Sequence, residues 1–369
     1  MRAFVVFSGR FPSEKADALF AHENARAFAE LGIETALLAP RRLRRNALSE
    51  RAYRVVYLPT LDLMYIPFIW SLASYINLFV FSCALYLWLR RHAGADDVVL
   101  SNEPLPLLFV SYAVRRTLFE IHISPARHAW FYRAVFRRTF LALPISEWNA
   151  KLAERYGLPK ERILLSRSAV DTAVFGDIDK SASRAKLGLP LHERIAVYTG
   201  HLFGWKGVDT LAEAARLVPD IRVMFVGGTS ADIARFKEQY SDVPNIYIVG
   251  FVPHDHVPLW QAAADVLVIP NSAKEDISLH FTSPMKLFEY MASRRPILAS
   301  DVPSIREILS DETGYFAKPD DPRSFADALK RIFADSNKAE RRASAARAYA
   351  ENNTWAKRAE HILERCRTL

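Results

Sequence analysis

Short apolar runs alternate with stretches of helical period along this 369-residue chain, and the scheme occurs twice. In the first half, AFVVFSG (3–9), ETALLAP (34–40), YRVVYLP (53–59), DVVLSNE (97–103), LFEIH (118–122) and FLALPIS (140–146) read as buried strands. ADALFAHENARAFAELG (16–32) carries apolar residues at helical spacing and ends on Gly32, a natural stop. In the second half, RIAVYTG (194–200), IRVMFVGG (221–228), IYIVGFV (246–252), DVLVIP (265–270), PILASD (296–301) and GYFAKP (314–319) read as strands, with helices over 208–218 and 284–293. Such alternation predicts α/β architecture: two doubly wound domains, each a parallel sheet with helices on both faces. Half of the residues are hydrophobic, enough for two cores. The expected division is 1–176 and 177–350, with the polar stretch 176–192 as linker. A charged helix over about 338–367 closes the chain, and 351–369 is expected to pack back toward the first domain. In tandem, two such domains leave a cleft at the carboxyl ends of their strands, where ligands bind.

Charge is unevenly spread. Residues 1–180 hold 24 Lys and Arg against 17 Asp and Glu, whereas 181–369 hold 25 against 24. The basic first half suits an anionic partner such as a membrane surface or a phosphorylated acceptor. No nucleic-acid motif accompanies the charge, so nucleic acid is not an expected partner. Met1 leads into an apolar run that reads as a strand rather than a secretion signal. Cys83 and Cys366 lie far apart in apolar or helical surroundings, which favours a reducing cytoplasm. Residues 63–89 carry no charge and many aromatics, long enough to span a membrane. Strands on both sides of this run favour a half-buried helix, or one with a face in the lipid interface beside the arginines at 41, 42, 44, 45, 90 and 91.

Four segments carry candidate chemistry. In TGHLFGWKGVD (199–209) a strand ends at Gly200 and a helix starts near Gly207, so Lys206 and the helix N-terminal amides can face one anion. The Walker spacing is absent. In HFTSPMKLFEYMA (280–292), Ser283 and Pro284 read as N-cap and N1, which frees amides over 284–286. Glu289, further along that helix, can accept from a sugar diol, while Lys286 stands three residues before it and can instead pair with it. His122 ends a strand of the first domain, where an imidazole can hold a hydroxyl or take its proton. SGRFPSEKAD (8–17), with Gly9, Ser13, Glu14 and Lys15, follows the first strand and can receive an acceptor or a donor phosphate. His254 and His256 have the look of metal spacing but read as a polar turn, and no metal is expected.

In order, these segments resemble the GT-B glycosyltransferases, and within them glycosyltransferase family 4, the glycosyl transferases group 1. The resemblance runs from FPSEKADALFAHENARAFAELG through SEWNAKLAERYGLPKERILLSRSAVDTAVF (146–175), TGHLFGWKGVDTLAEAA, VGFVPHDHVPLWQAAADVLVIPNS and SPMKLFEYMASRRPILASDVPSIREIL to TGYFAKPDDP. It implies two Rossmann-like domains facing across a cleft and a nucleotide-diphosphate sugar as donor. Lys206 would bind the diphosphate, and the helix start behind Ser283, over Pro284, Met285 and Lys286, would cradle phosphate. Glu289 would hold the ribose as the second glutamate of an E-x7-E motif. His122 would lie near the transferred sugar or acceptor, and Phe251 and Val252 would line the base pocket. Lys206, Glu289 and His122 are thus the expected catalytic residues. Gly200 and His201 join the donor loop, and Gly9, Ser13, Glu14, Lys15 and His122 the acceptor side. Two residues depart from the family pattern: His201 replaces an arginine, and Phe281 replaces the first glutamate of E-x7-E.

The expected function is retaining sugar transfer to a glycan or lipid-linked acceptor in cell-envelope polysaccharide or glycolipid synthesis. The expected location is cytoplasmic, with peripheral contact to anionic membrane. A GT-B-like sugar-nucleotide epimerase and a silent nucleotide-sugar binder remain the alternatives.

Overall fold

The computed structural model describes the chain apart from residues 14, 42–51, 62–69, 123–128 and 177. It divides into two compact units: Met1–Arg167 with Trp355–Leu369, and Ser168–Thr354.

The first unit is built on a six-stranded parallel sheet of β1 (Ala3–Val6), β2 (Thr35–Pro40), β3 (Arg54–Leu58), β4 (Val98–Ser101), β5 (Arg116–Ile121) and β6 (Leu141–Pro144). Their order is β3-β2-β1-β4-β5-β6, with Val5 opposite both Leu37 and Leu100. The apolar runs become strands because helices cover both faces: every residue of β1 and β4 is buried. Chain order reverses between β1 and β4, so the gap beyond their carboxyl ends is this unit's switch point.

The long apolar segment forms the helix Trp70–His92. Phe81, Leu85 and Leu89 pack with Phe4, Val6 and Val99, while Leu72, Tyr75, Phe79 and Leu87 face outward. Its part Leu72–His92 is long and apolar enough to cross a membrane, and a third of that window is buried. The helix therefore belongs to the sheet's core and keeps an exposed apolar face. The arginines at 42, 44 and 45, and residues 63–69 of the apolar run, lie outside the described residues.

The second unit repeats the plan with β7 (Arg194–Thr199), β8 (Ile221–Val226), β9 (Ile246–Gly250), β10 (Val266–Ile269), β11 (Ile297–Ser300) and β12 (Tyr315–Ala317), ordered β12-β11-β10-β7-β8-β9 and parallel throughout. Its switch point lies between β7 and β10.

Two details of chain organisation differ from the sequence expectation. The stretch 176–192 contains the helix Lys180–Leu187, capped by Asp179 and stopped by Gly188 at φ 66°. Its Arg184 is fully buried and bonds the Ala263 carbonyl at 2.9 Å and Asp265 at 2.7 Å, so polar composition here marks an anchor. The division falls at Arg167/Ser168, ahead of 176/177, because Val170 and Phe175 already join the core of the second unit. The closing helix is also two helices, Ser336–Glu351 and Trp355–Thr368. Asn352 caps the first, and the Asn353 amide donates to the Tyr349 carbonyl at 2.8 Å, which competes with helical continuation. Ala339, Ala343, Ala346 and Ala350 face the second unit's core, whereas Trp355–Leu369 belongs to the first unit.

Candidate active site

β7 ends at Thr199, and the loop that follows carries Gly200 at φ 129° and closes in a 3-10 turn, Gly204–Lys206. Gly207, at φ 68°, then starts the helix Val208–Arg216. A Cβ on Gly207 would sit 1.8 Å from the Pro270 carbonyl oxygen, so only glycine lets this helix start meet the end of β10. Lys206 is thereby placed at the switch point. Its Nζ lies 3.7 Å from the centre of the Trp205 ring. Burial pushes its ammonium down to about 8.

The helix Met285–Ala292 brings the second group. Its N-cap is Pro284, not Ser283. The Ser283 hydroxyl accepts from the Ser168 N–H at 3.0 Å, and the Ser168 hydroxyl donates back to the Ser283 carbonyl, so this serine is tied to a segment far away in sequence. Pro284 has no N–H, and the first helical bond runs from Leu287 N–H to the Pro284 carbonyl at 2.9 Å. The amides left for an anion are therefore those of Met285 and Lys286.

Lys286 does not form the i, i+3 pair with Glu289 that its spacing allows. It donates to the Thr199 carbonyl at 3.2 Å and lies 4.0 Å above the Tyr198 ring. Burial pushes it well below the ordinary lysine value, the nearby Lys206 pushes it further, and Glu289 acts in the opposite sense. Neither lysine has a carboxylate partner among the described residues. Glu289 turns instead to two residues that no sequence pattern tied to it. His254 Nε2 is 3.3 Å from one carboxylate oxygen, and Gln261 donates to the other at 3.1 Å. The polar turn His254–His256 is thus a support for Glu289. Each carboxylate oxygen retains a lone pair for a diol. Phe251, more than half exposed, follows β9, and Val252 packs on the core beside it. His201 is exposed and stacks on Phe203 at 4.9 Å.

In the first unit, His122 follows β5 and is half-buried. Its Nε2 lies 3.2 Å from Glu120, and its ring meets Phe20 edge-on at 4.8 Å. Glu120 is buried, and burial pushes its carboxyl up; Arg358 and His122 outweigh this and hold it below the usual value. Arg358, itself buried, reaches Glu120 and Asn24 from Trp355–Thr368 and donates to the Arg167 carbonyl at 3.0 Å. No spacing rule links residues 24, 120 and 358, so this network escaped sequence reasoning. Glu103 escaped as well. It stands past β4 and accepts from Ser8, past β1, at 3.2 Å. Burial raises its carboxyl above the usual range, Asp17 adds to that, and Ser8 and His122 oppose it. Gly9, Ser13 and Lys15 lie between β1 and the helix Ala16–Glu30, with Lys15 as its N-cap. Glu14 lies outside the described residues.

Two parallel six-stranded sheets, with a cationic helix-start site at the switch point of the second, define an α/β fold of GT-B type. A solved sucrose-phosphate synthase from Thermosynechococcus elongatus matches all of this chain and 98% of its own at a TM-score of 0.82 and 18% identity. Anabaena HepE, solved in complex with UDP-glucose, matches at 0.77 and 16% identity with full coverage of both chains. Residues 193–335, within the second unit, match the family model Glycosyl transferases group 1. A Bacillus subtilis protein named for teichuronic acid biosynthesis, TuaC, is 30% identical over 239 residues, which are 64% of this chain and 58% of that protein. The chain spans about half the length of the curated relatives it matches.

Proposed function

We propose that this protein is a retaining glycosyltransferase that moves a sugar from a nucleoside-diphosphate sugar to a glycan or lipid-linked acceptor in cell-envelope polysaccharide or glycolipid synthesis. The observation that carries this reading is the pair Lys206 and Lys286. Two ammonium groups, of which Lys206 pushes Lys286 down, without a carboxylate ion pair among the described residues and beside the free amides of Met285 and Lys286, suit a diphosphate. HepE, of the same fold, holds UDP-glucose, which supports a nucleotide-sugar donor here.

In the transfer step the bond from the anomeric carbon to the diphosphate breaks and negative charge grows on the leaving phosphate. Lys206, Lys286 and the two amides stabilise that charge. Glu289, steadied by His254 and Gln261, takes the ribose hydroxyls. His122, steadied by Glu120, orients the transferred sugar or the acceptor hydroxyl. Retention rests on the family likeness and follows a front-face course in which a donor phosphate oxygen takes the acceptor proton. Phe281, where the family commonly has a glutamate, removes one contact to the donor sugar.

Glu289→Gln is expected to weaken donor affinity about tenfold, because a charge-assisted bond to the diol is lost. Unchanged affinity by calorimetry would argue against the ribose assignment.

The exposed row Leu72, Tyr75, Phe79 and Leu87, beside Arg90 and Arg91, supports peripheral contact with the cytoplasmic face of a membrane. Vesicle flotation is expected to depend on anionic lipid and to fall when Tyr75 and Phe79 become serine. Flotation indifferent to both would remove this part of the proposal.

The reaction itself is tested by incubating a panel of nucleotide sugars with and without glycan and lipid-linked acceptors, followed by mass spectrometry. A product larger than its acceptor by one sugar is expected. An altered donor without acceptor points to an epimerase, and binding without any product to a silent binder; either outcome rejects transfer.

A further inference from the structure

The first unit has a second cationic site, at the sheet edge where strands begin. A cavity of about 420 Å³ is lined by Ser111, Arg115, Arg138, Phe140, Arg162 and Leu369. Arg115 immediately precedes β5, and Phe140 immediately precedes β6. Glu103 and His122 lie beyond the opposite, carboxyl ends of β4 and β5. The cavity is thus separate from the acceptor side described above.

Three guanidinium groups share this cavity; its lining holds no Asp or Glu, and the one other charge on it is the terminal carboxylate of Leu369, which forms no ion pair with them among the described residues. Arg115 and Arg138 are exposed and form no ion pair among the described residues. Two neighbouring cations do find partners: Arg116 pairs with Asp96 at 3.4 Å and Lys160 with Glu154 at 3.8 Å. The cavity at the corresponding edge of the second unit provides a contrast. Its Lys180 and Arg294 face Asp265 and Glu340, at 2.9 and 3.9 Å, so two of its three lining cations are paired.

The arginines are also held in place. Arg138 lies over the Tyr112 ring, 3.8 Å from its centre, which fixes the plane of its guanidinium. Arg162 donates through Nε to the Phe140 carbonyl at 2.9 Å and through a terminal nitrogen to the Thr139 carbonyl. Gathering like charges in one place costs free energy unless an anion offsets it. A planar fork fixed by stacking suits the paired oxygens of a phosphate better than a diffuse counterion.

We propose that this cavity binds a phosphate group, carried either by a free phosphorylated metabolite or by a phospholipid headgroup. The site is independent of sugar transfer. Its test uses the full chain carrying Lys206→Ala, which weakens phosphate binding at the second unit, and the substitutions at the cavity report the first. Calorimetry with inorganic phosphate and with glycerol 3-phosphate reads the free form. Co-sedimentation with phosphatidylcholine vesicles, with and without phosphatidylglycerol, reads the headgroup.

Saturable binding is expected in at least one arm, weakened about tenfold or more by Arg115→Gln with Arg138→Gln. Both side chains are exposed, so thermal melting should not move. Arg138→Lys keeps the charge but loses the fork and should recover only part of the affinity. Binding in the soluble arm assigns a free phosphate, and binding in the vesicle arm alone assigns a headgroup. Absence of saturable binding in both arms, or binding that the double substitution leaves unchanged, overturns the proposal.

Discussion

Replacing Lys206 with alanine is expected to lower turnover about a hundredfold or more while the protein stays folded. The side chain lies over the Trp205 ring and forms no ion pair among the described residues, so its removal leaves no charged partner stranded. Its effect should appear where charge develops on the leaving diphosphate. The pH dependence follows from the same burial. With its value near 8 rather than 10.5, the free ammonium loses its proton as pH rises through about 8. A bound diphosphate favours the charged form and raises that value again. Donor binding in this range should take up a proton, and affinity should fall as pH rises above about 8. Lys286 adds to the trend in the same direction. Near-normal turnover by a folded Lys206→Ala protein, with donor affinity flat across that pH range, would sink the role given to this residue.

Arg358→Ala should produce the largest loss of stability, about 3–5 kcal/mol, because it leaves the Glu120 carboxylate buried without its main counter-charge. The sign of the acid response follows. Glu120 has a lowered value in the folded protein, so its stabilisation is present above the unfolded carboxyl value and is lost as pH falls through the folded one. Arg358→Ala should erase that contribution. Adding Glu120→Gln removes the stranded charge and should restore part of the stability, so the two changes should be strongly non-additive in denaturant melts. Simple additivity would show that the two groups are not coupled. His122 depends on the same carboxylate, so the surviving Arg358→Ala protein should lose kcat more than donor affinity.

Much of this fold was legible in the sequence because parallel strands buried on both faces leave uninterrupted apolar runs. All six runs in each half became strands. Lys206 was legible too, since a glycine-bounded turn between a strand and a helix is a local pattern. What escaped depends on distant partners. Ser-Pro at 283 and 284 reads as a helix cap until Ser168, on another segment, takes the serine hydroxyl. Lys286 and Glu289 have the spacing of an ion pair, yet Thr199 and Tyr198 draw the lysine one way while His254 and Gln261 draw the glutamate the other. Glu103 carries no local pattern at the end of the run 97–103; only the order of β1 and β4 in the sheet sets it beside Ser8. The last helix looked continuous because its composition is uniformly charged, and two asparagines at 352 and 353 are a weak local signal for the break.

The central claim is that Lys206, Lys286 and the start of Met285–Ala292 hold a nucleoside diphosphate. Calorimetric titration of UDP, GDP and ADP, and of their sugars, into the full chain below pH 8 tests it most directly. One saturable site for at least one of these nucleotides is predicted, weakened about tenfold or more in both Lys206→Ala and Lys286→Ala. Binding of none of them, or equal affinity in the wild type and both variants, would contradict it.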